Sequence, residues 1–372
     1  MKNFEIIHED NKARIGILKT QYGQIETPIF LAVATRGVGK HYTSMDLIAI
    51  DHNSIISNAL ILNFRPGSQL IEEMGGLHKF MNFNGCIFLD CGGFQASRHF
   101  FQGKDNTGLN FLNPYNNQKF KITPKSIMNI QLEIGSDVAM MLDDMAPYGA
   151  SYDQAKEAME LTHKWGKLSL DFHNKLKIEK NSNQMLFGIV QGNFYEDLRK
   201  ESAKYISSLN FDGIAIGGVA IGEPKEEMYM AVNSAIVHLP REKPKYIMGL
   251  GTPLDILNMI EKGVDVFDSV YPTKVARHNT LFTKDGLIYL NRGKHKNDNN
   301  PIEKDCDCIA CLNYSRAYIN HLSKIEETSA LRLKSLHNIR FIKRMIEDAK
   351  IAIKEKRFKE FKEEFTKRFE KK

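Results

Sequence analysis

The chain has 372 residues, of which 42% are hydrophobic and 26% are charged, and its formal net charge is +6. This composition is typical of globular proteins and excludes disordered, collagen-like and fibrous classes. No apolar run approaches the ~20 residues of a membrane-spanning helix, and the first residues are acidic rather than signal-peptide-like, so we expect a cytoplasmic protein with no membrane partner.

Eight short apolar segments before residue 270 are typical of buried parallel strands. They cover 28–34, 55–62, 86–90, 137–143, 186–191, 213–217, 246–249 and 264–268. Most are separated by stretches of helical periodicity, such as 152–174 and 194–209. This alternation predicts an α/β fold, and eight repeats favour a closed (β/α)8 TIM barrel. A doubly wound open sheet is the alternative, although no GxGxxG motif follows the first strand.

Several of these strands end in a polar residue or glycine, namely Asp90, Asp143, Gln191, Gly217 and Asp268. A single aspartate at such a place would indicate only a turn or a helix cap. Because the active site of a (β/α)8 barrel lies at the carboxyl ends of its strands, this pattern predicts a ring of functional groups around one pocket.

The sequence outside these strands predicts additional structural units. Residues 98–122 are rich in turn-forming residues and predict a hairpin or lid above the third strand. After residue 270 the chain becomes basic and polar, then carries a cysteine cluster, two helical segments at 313–326 and 328–352, and a basic tail. We therefore expect a barrel core over 1–270, a separate subdomain over 271–345 packed on the barrel, and a basic C-terminal helix over 346–372.

Three of the five cysteines, Cys306, Cys308 and Cys311, fall within six residues. Such close spacing indicates a metal site rather than disulfides. Three thiolates and one imidazole form a closed tetrahedral set that suits one structural Zn²⁺ per chain. His337 and His321 compete as the fourth ligand on spacing alone.

Two of the strand-end carboxylates, Asp90 and Asp268, suit displacement at an anomeric carbon. One carboxylate can attack C1′ while the other protonates the departing group and later acts as a base. The simpler alternative for each is a cap or an ion-pair partner.

The chain resembles the tRNA-guanine transglycosylases (queuine tRNA-ribosyltransferases) over nearly its whole length. The motifs that carry this resemblance are LDCGGFQ (89–95), GSDVAMMLDD (135–144), LFGIVQG (186–192), FDGIAIGGVAIGE (211–223), YIMGLGTP (246–253), GVDVFDSVYPTKVAR (263–277), CDCIAC (306–311) and SRAY (315–318). The resemblance also places the zinc histidine in the His-Asn pair at 337–338, which favours His337 over His321.

The resemblance implies a pentosyltransferase that replaces the wobble guanine of GUN-anticodon tRNAs by a 7-deazaguanine, in queuosine biosynthesis. Asp268 would be the nucleophile and form a covalent ribosyl-enzyme intermediate, and Asp90 would be the general acid/base. Base-binding residues are implied as well. Asp143 would read the amino-pyrimidinone edge, Gln191 and the backbone of Gly218 would lie near the 6-oxygen, and Phe94 and Met248 would sandwich the purine ring.

The resemblance further implies that Lys274 and Arg277 contact phosphates of the anticodon stem-loop. Where the family has an arginine, this chain has Lys274, so a bidentate grip is replaced by point-charge attraction. A solvated basic loop is the alternative. A homodimer with the zinc region at its interface is also implied.

Three residues near the expected base substituent depart from the common bacterial pattern: Cys91, Asp144 and Met145. They leave two incoming bases open, the aminomethyl-deazaguanine precursor and queuine. Ile221 and Glu223 favour the precursor, because they resemble the bacterial exchange pocket. Two further alternatives are an archaeosine-type exchange on another nucleic-acid target and a non-catalytic RNA-binding partner subunit.

Overall fold

A computed structural model describes residues 3–93 and 100–371. In chain order its strands are β1 (Phe4–Asp10), β2 (Ala13–Thr20), β3 (Gly23–Thr27), β4 (Ile29–Val33), β5 (Ser54–Asn58), β6 (Cys86–Asp90), β7 (Phe101–Asp105), β8 (Gly108–Leu112), β9 (Lys119–Ile122), β10 (Val138–Met140), β11 (Met185–Val190), β12 (Gly213–Ile216), β13 (Lys245–Ile247), β14 (Val266–Asp268), β15 (Thr280–Thr283) and β16 (Gly286–Tyr289).

Eight of these strands form a closed parallel barrel in the order β4-β5-β6-β10-β11-β12-β13-β14. The predicted (β/α)8 barrel is therefore confirmed, and the open doubly wound sheet is wrong. Its interior is filled by aromatic side chains, with Phe88 meeting Phe187 and Tyr246 edge-on at centroid distances of 5.5 and 5.8 Å. The lower part of the barrel is thus a packed core, which leaves its carboxyl end for a site.

The helices connect and cover these strands. They span Ser44–Ala49, Ala59–Phe64, Ser68–Glu73, Leu77–Met81, Pro124–Ile134, Tyr152–Glu179, Glu196–Ser208, Lys225–Ile236, Pro253–Ile260, Tyr271–Arg277, Ile309–Asn313, Arg316–Lys324, Thr328–Lys354 and Phe358–Phe369. Within the described residues, no helix combines the length and apolar character needed to cross a membrane.

The second predicted strand, 55–62, is too long. The strand ends at Asn58, and the apolar residues after it form the helix Ala59–Phe64. The Asn58 side chain causes the switch, because its Oδ1 accepts the backbone N–H of Ile61 at 2.9 Å and so caps the helix. Buried helical and strand residues are both apolar, so hydrophobicity alone could not separate them.

The predicted hairpin or lid at 98–122 is a three-stranded antiparallel sheet of β7, β8 and β9. Trp165, on the helix Tyr152–Glu179, is fully buried and donates its indole N–H to the carbonyl of Asn106 at 3.2 Å. This contact anchors the small sheet beside the mouth of the barrel.

A 27-residue helix, Thr328–Lys354, packs against β1, β2, β4 and the helix Tyr271–Arg277. It runs through residue 345, so the expected boundary there does not coincide with a break between elements. Because one rigid helix contacts both the barrel and the segment after β14, it fixes the position of that segment.

Candidate active site

A cavity of about 430 Å³ opens at the carboxyl ends of the barrel strands. The predicted site residues that line it are Asp90, Asp143, Gln191, Gly218, Met248, Asp268 and Lys274. Phe94 lies outside the described residues. Arg277 is not among the lining residues and lies one helical turn beyond Lys274.

Asp268 ends β14 and is held by two hydrogen-bond donors. The Tyr246 hydroxyl donates to its Oδ1 at 2.6 Å, and the backbone N–H of Gly249 donates to the same oxygen at 2.9 Å. Burial raises the pKa of Asp268, whereas these two hydrogen bonds lower it because they stabilise the charged form. Among the described residues no donor binds Oδ2, which is therefore available to the cavity.

Asp90 ends β6, beside Asn58 at the end of β5. The Asn58 amide donates to Asp90 Oδ2 at 3.1 Å. Burial raises the pKa of Asp90 to about 7, and the charges of Asp143 and Asp268 add to the rise. A carboxyl group that titrates near neutral pH can release and recover a proton within one reaction cycle.

Asp143 lies three residues after β10 and faces Gln191, which follows β11. The Gln191 side-chain amide donates to Asp143 Oδ2 at 2.7 Å. Cys91 approaches the other oxygen, with 3.8 Å between Sγ and Oδ1. Burial raises the pKa of Asp143 to about 6. Asp143 is thus an oriented acceptor, and Cys91 acts on it as a small hydrogen-bond donor.

Sequence reasoning missed Arg199, a fully buried arginine in the helix Glu196–Ser208. Among the described residues its guanidinium donates only to backbone carbonyls, including those of Gly217 at 2.7 Å and Gly218 at 3.0 Å. Gly218 has φ of +63°, and a Cβ on it would lie 2.4 Å from Gln191 Oε1. A side chain at 218 would therefore strain the backbone and displace the Gln191 amide, so glycine is favoured there.

The loop after β12 is fastened by Glu223. Its carboxylate accepts the backbone N–H groups of Ala220 at 2.5 Å, Ile221 at 2.8 Å and Gly222 at 3.0 Å. Three hydrogen bonds to one charged group make this wall of the cavity rigid.

A second cavity of about 380 Å³ adjoins the first across Asp143 and Met145, which line both. Asp144 turns toward this second cavity and pairs with Lys104 of β7. Met145 therefore lies in the partition between the two cavities, and Asp144 lies in the wall of the second.

Lys274 and Arg277 lie on the helix Tyr271–Arg277, immediately after β14. Lys274 is exposed at the edge of the cavity. Neither cation pairs with a carboxylate in the part of the chain that the structure describes. Both are therefore available to an external anion.

Cys306, Cys308, Cys311 and His337 form a compact cluster whose ligand atoms all lie within 4.8 Å of one another. His337 Nδ1 lies 3.7, 3.6 and 3.3 Å from the three sulfurs, in chain order. Tetrahedral zinc, with Zn–S of about 2.3 Å and Zn–N of about 2.0 Å, separates nitrogen and sulfur by about 3.5 Å. The cluster therefore fits such an ion, and among the described residues His321 is not part of it.

The residue pair at 337–338 joins this cluster to the helix Tyr271–Arg277. His337 Nε2 lies 2.8 Å from the carbonyl oxygen of Phe282, which fixes the ring with Nδ1 toward the thiols. The Asn338 amide accepts the N–H of Phe282 at 3.0 Å and donates to the carbonyls of Pro272 at 2.9 Å and Thr280 at 3.1 Å. A metal held here would therefore stabilise the segment that carries Lys274.

The comparisons with known proteins all find the same family. The family model of queuine tRNA-ribosyltransferases matches residues 9–371. The queuine tRNA-ribosyltransferase of Fusobacterium nucleatum is 42% identical over 370 residues, covering 99% of this chain and 98% of that protein. The protein of the same name from Bacillus subtilis is 42% identical over 369 residues, covering 98% and 96%. That of Staphylococcus aureus is 42% identical over 354 residues, covering 95% and 92%.

Proposed function

The chain belongs to the queuine tRNA-ribosyltransferase family, and from this membership and the barrel cavity we propose that it is a tRNA-guanine transglycosylase. It exchanges guanine at the wobble position of GUN-anticodon tRNAs for a 7-deazaguanine, as a step of queuosine biosynthesis. The observation that carries this proposal is the pair of unlike carboxylates in one cavity, Asp268 with two donors on one oxygen and Asp90 with a pKa of about 7. Two carboxyl groups with different environments suit nucleophile and acid/base.

In the first displacement, Asp268 attacks C1′ of the wobble nucleotide. A C1′–O bond to the carboxylate forms, the C1′–N9 bond breaks, and its electron pair moves into the purine. Asp90 supplies the proton that neutralises the leaving guanine. The result is a ribosyl ester on Asp268 and a carboxylate at Asp90.

In the second displacement, the incoming base occupies the same cavity. The Asp90 carboxylate takes the proton from the N9 of that base, and this nitrogen attacks C1′ while the ester bond to Asp268 breaks. Both carboxyl groups return to their starting states, so no external acid or base is consumed.

Base selection would rest on Asp143, Gln191 and Gly218. The Asp143 carboxylate can accept the N1–H and 2-amino groups of guanine. Adenine lacks this pair of donors and would leave the carboxylate unpaired, which is strongly unfavourable in a buried site. Met248 covers one face of the ring, and Phe94 is proposed for the other.

We take the aminomethyl-deazaguanine precursor, rather than queuine, as the incoming base. The fastened loop at Ala220, Ile221 and Gly222 limits the space beside the base. A small aminomethyl group fits such a wall, whereas the cyclopentenediol of queuine requires it to open.

The anticodon stem-loop would bind across the barrel mouth, with Lys274 and Arg277 on its phosphates. The functional division follows: a catalytic barrel over 1–270, a tRNA-contacting and zinc-binding subdomain over 271–345, and a basic C-terminal segment over 346–372. Zn²⁺, one per chain, would stabilise the subdomain and take no part in the chemistry, because its four ligands leave no open position. Cytoplasmic tRNA is the substrate, so we place the enzyme in the cytoplasm.

A homodimer is part of the proposal. Beside the cysteine cluster, Leu312, Tyr314, Tyr318 and Ile325 are exposed by 37% or more. The two tyrosine rings stack at a centroid distance of 5.2 Å. An exposed aromatic and aliphatic patch of this kind is typical of an interface. Sedimentation of wild type and Tyr318→Asp would test it, with a monomer expected for the variant.

The activity is tested by exchange of labelled guanine out of unmodified GUN-anticodon tRNA, with guanine, the aminomethyl precursor or queuine as the incoming base. We expect all exchange to stop in Asp268→Asn, together with covalent trapping of tRNA on denaturing gels. Glu196→Gln, on an exposed helix start away from the cavity, is the matched control and should behave as wild type. Incorporation of none of the three bases by the wild type rejects the proposed function, and faster queuine incorporation rejects only the choice of base.

A further inference from the structure

Arg199 places a cation behind the wall of the cavity, where no carboxylate of the described residues forms an ion pair with it and only the charge of Glu223 acts on it from nearby. Its Nε donates to the carbonyl of Asn193 at 2.6 Å, and its Nη1 to those of Val190 at 3.2 Å and Gly217 at 2.7 Å. Its Nη2 donates to the carbonyl of Gly218 at 3.0 Å. A fully buried charge normally has an ionic partner, so four carbonyl acceptors are an unusual arrangement.

Two of these carbonyls belong to peptide units whose N–H groups are free. The carbonyl of Gly217 shares its peptide unit with the N–H of Gly218, and the carbonyl of Gly218 shares its unit with the N–H of Val219. Within residues 3–93 and 100–371, neither N–H has a protein acceptor. All three residues line the cavity. The cation therefore sits on the carbonyl side of the same peptides that offer donors to a ligand.

We propose that Arg199 is a positioning residue that orients and polarises these two N–H groups for the 6-oxygen of the purine. A cation on a carbonyl oxygen draws electron density through the peptide unit, which makes the N–H on its other side a stronger donor. The inference rests on the proposed function, because it assumes a 6-oxopurine in this cavity.

The same arrangement would assist departure of the base. When the C1′–N9 bond breaks, its electron pair is delocalised over the purine and part of the charge reaches the 6-oxygen. Preoriented donors backed by a fixed cation stabilise that charge without rearranging. Arg199 itself does not touch the base and acts only through the peptides of Gly217 and Gly218.

The four carbonyl acceptors of Arg199 explain why a lysine would orient these peptides less well. The guanidinium reaches four carbonyls from three elements: the end of β11, the loop after it and the loop after β12. Lysine offers a single point charge that can retain only part of this set. R199K should therefore keep the polarisation in part, and the neutral R199Q should lose it.

The test compares inhibition of tRNA exchange by guanine and by 6-thioguanine. The thio analogue keeps N1–H and the 2-amino group that Asp143 would bind, and it replaces only the 6-oxygen by the weaker acceptor sulfur. For the wild type we expect guanine to inhibit at least about tenfold more tightly, the scale of one charge-assisted hydrogen bond. A wild-type ratio near one overturns the proposal without any variant.

In R199Q the ratio should fall to within about threefold of one, and in R199K it should lie between R199Q and wild type. A merely structural role would weaken both inhibitors equally and leave the ratio unchanged, which also overturns the proposal. R14Q is the matched control, because Arg14 is 2% exposed and its guanidinium binds Asp265 and two carbonyls at the opposite end of the barrel. Its ratio should equal that of wild type.

If R199Q does not fold, the comparison of R199K with wild type still tests the proposal. A ratio of guanine to 6-thioguanine inhibition in R199K that equals that of wild type would contradict the expected partial loss. Failure of the proposed function gives a different result, namely a wild type that exchanges no guanine out of tRNA. A wild type that exchanges guanine, with ratios that do not depend on residue 199, removes only the role of Arg199.

Discussion

Burial raises the pKa of Asp268, and the hydroxyl of Tyr246 is the strongest of the groups that oppose this rise. Tyr246 is fully buried in the barrel, and its hydroxyl donates to Asp268 Oδ1 at 2.6 Å. Tyr246→Phe removes this donor and keeps the aromatic ring in the core. The backbone N–H of Gly249, at 2.9 Å, remains as the second donor.

The size of the effect follows from the kind of bond. A hydrogen bond to a charged group contributes about 1.5–3 kcal/mol, and one pKa unit corresponds to about 1.36 kcal/mol. Because the carboxylate also faces the cavity, where water replaces part of the lost bond, we use the lower limit. The pKa of Asp268 should therefore rise by about one unit in Tyr246→Phe.

The assay is kcat for guanine exchange as a function of pH, which reports the enzyme–tRNA complex, where the donors of the bound guanine hold Asp143 charged. In the proposed mechanism the first displacement needs Asp268 charged and Asp90 protonated, so we expect a bell-shaped profile with its basic limb near the Asp90 pKa of about 7. Tyr246→Phe should move only the acidic limb, upward by about one unit, which makes exchange about tenfold slower below that limb.

Tyr195→Phe is the matched control, since the Tyr195 hydroxyl donates to the neutral carbonyl of Ala150 at 3.0 Å. Its pH profile should match that of wild type. A folded Tyr246→Phe variant whose acidic limb coincides with that of wild type would refute the assignment of Asp268 as the ionised nucleophile.

Three further predictions concern stability, tRNA binding and the metal. Burial raises the pKa of Asp90 to about 7 in the folded state, whereas the carboxyl of an unfolded chain loses its proton above about pH 4. Between pH 4 and pH 7 the folded state therefore holds a proton that the unfolded state has released. Asp90 thus lowers the free energy of unfolding as the pH rises through this range. Asp90→Asn should abolish exchange. It should also raise the free energy of unfolding by about 2 kcal/mol at pH 8, a value reduced for solvent in the cavity, and change it little at pH 4. Melting curves at both pH values check this prediction, and an equal gain in stability at both would contradict it. Asn338→Ala removes the hydrogen bonds to Phe282, Pro272 and Thr280, so it should raise KM for tRNA several-fold and leave the inhibition constant of guanine within about twofold. Both constants are measured in parallel. An unchanged KM in a folded variant would contradict the idea that Asn338 positions the segment that carries Lys274. Chelation should release about one zinc ion per chain and lower the melting temperature, which metal analysis and calorimetry measure; an unaltered melting temperature after complete removal would exclude a structural role.

The sequence was most informative where strand ends carry polar side chains. Asp90, Asp143, Gln191 and Asp268 are far apart in the chain, yet all lie at the cavity because parallel barrel strands end at one face. This needs only approximate strand positions, which buried apolar runs provide. The distances and donor directions at these residues could not be predicted, since they depend on side chains from neighbouring strands.

Three supporting residues were missed for separate physical reasons. Asn58 was hidden inside a predicted strand that continued into an apolar helix, although a strand ending at 58 would have placed it in the polar ring. Tyr246 is an inward-facing strand residue whose hydroxyl finds Asp268 on the next strand, a pairing that periodicity does not reveal. Arg199 had a visible signal, because it stands on the buried helix face with Ser202 and Ile206, three and seven residues later.

The proton states of the three carboxylates are linked through the bound base. Burial raises the pKa of Asp143 to about 6, and the N1–H and 2-amino donors of a guanine would lower it again, because they stabilise the charged form. The charge on Asp143 in turn raises the pKa of Asp90. In the proposed mechanism, arrival of the base would therefore keep Asp90 protonated while Asp268 remains ionised, which is the combination that the first displacement needs. Base recognition and acid catalysis would then both depend on the charge of Asp143, so a substitution at Asp143 should weaken both together.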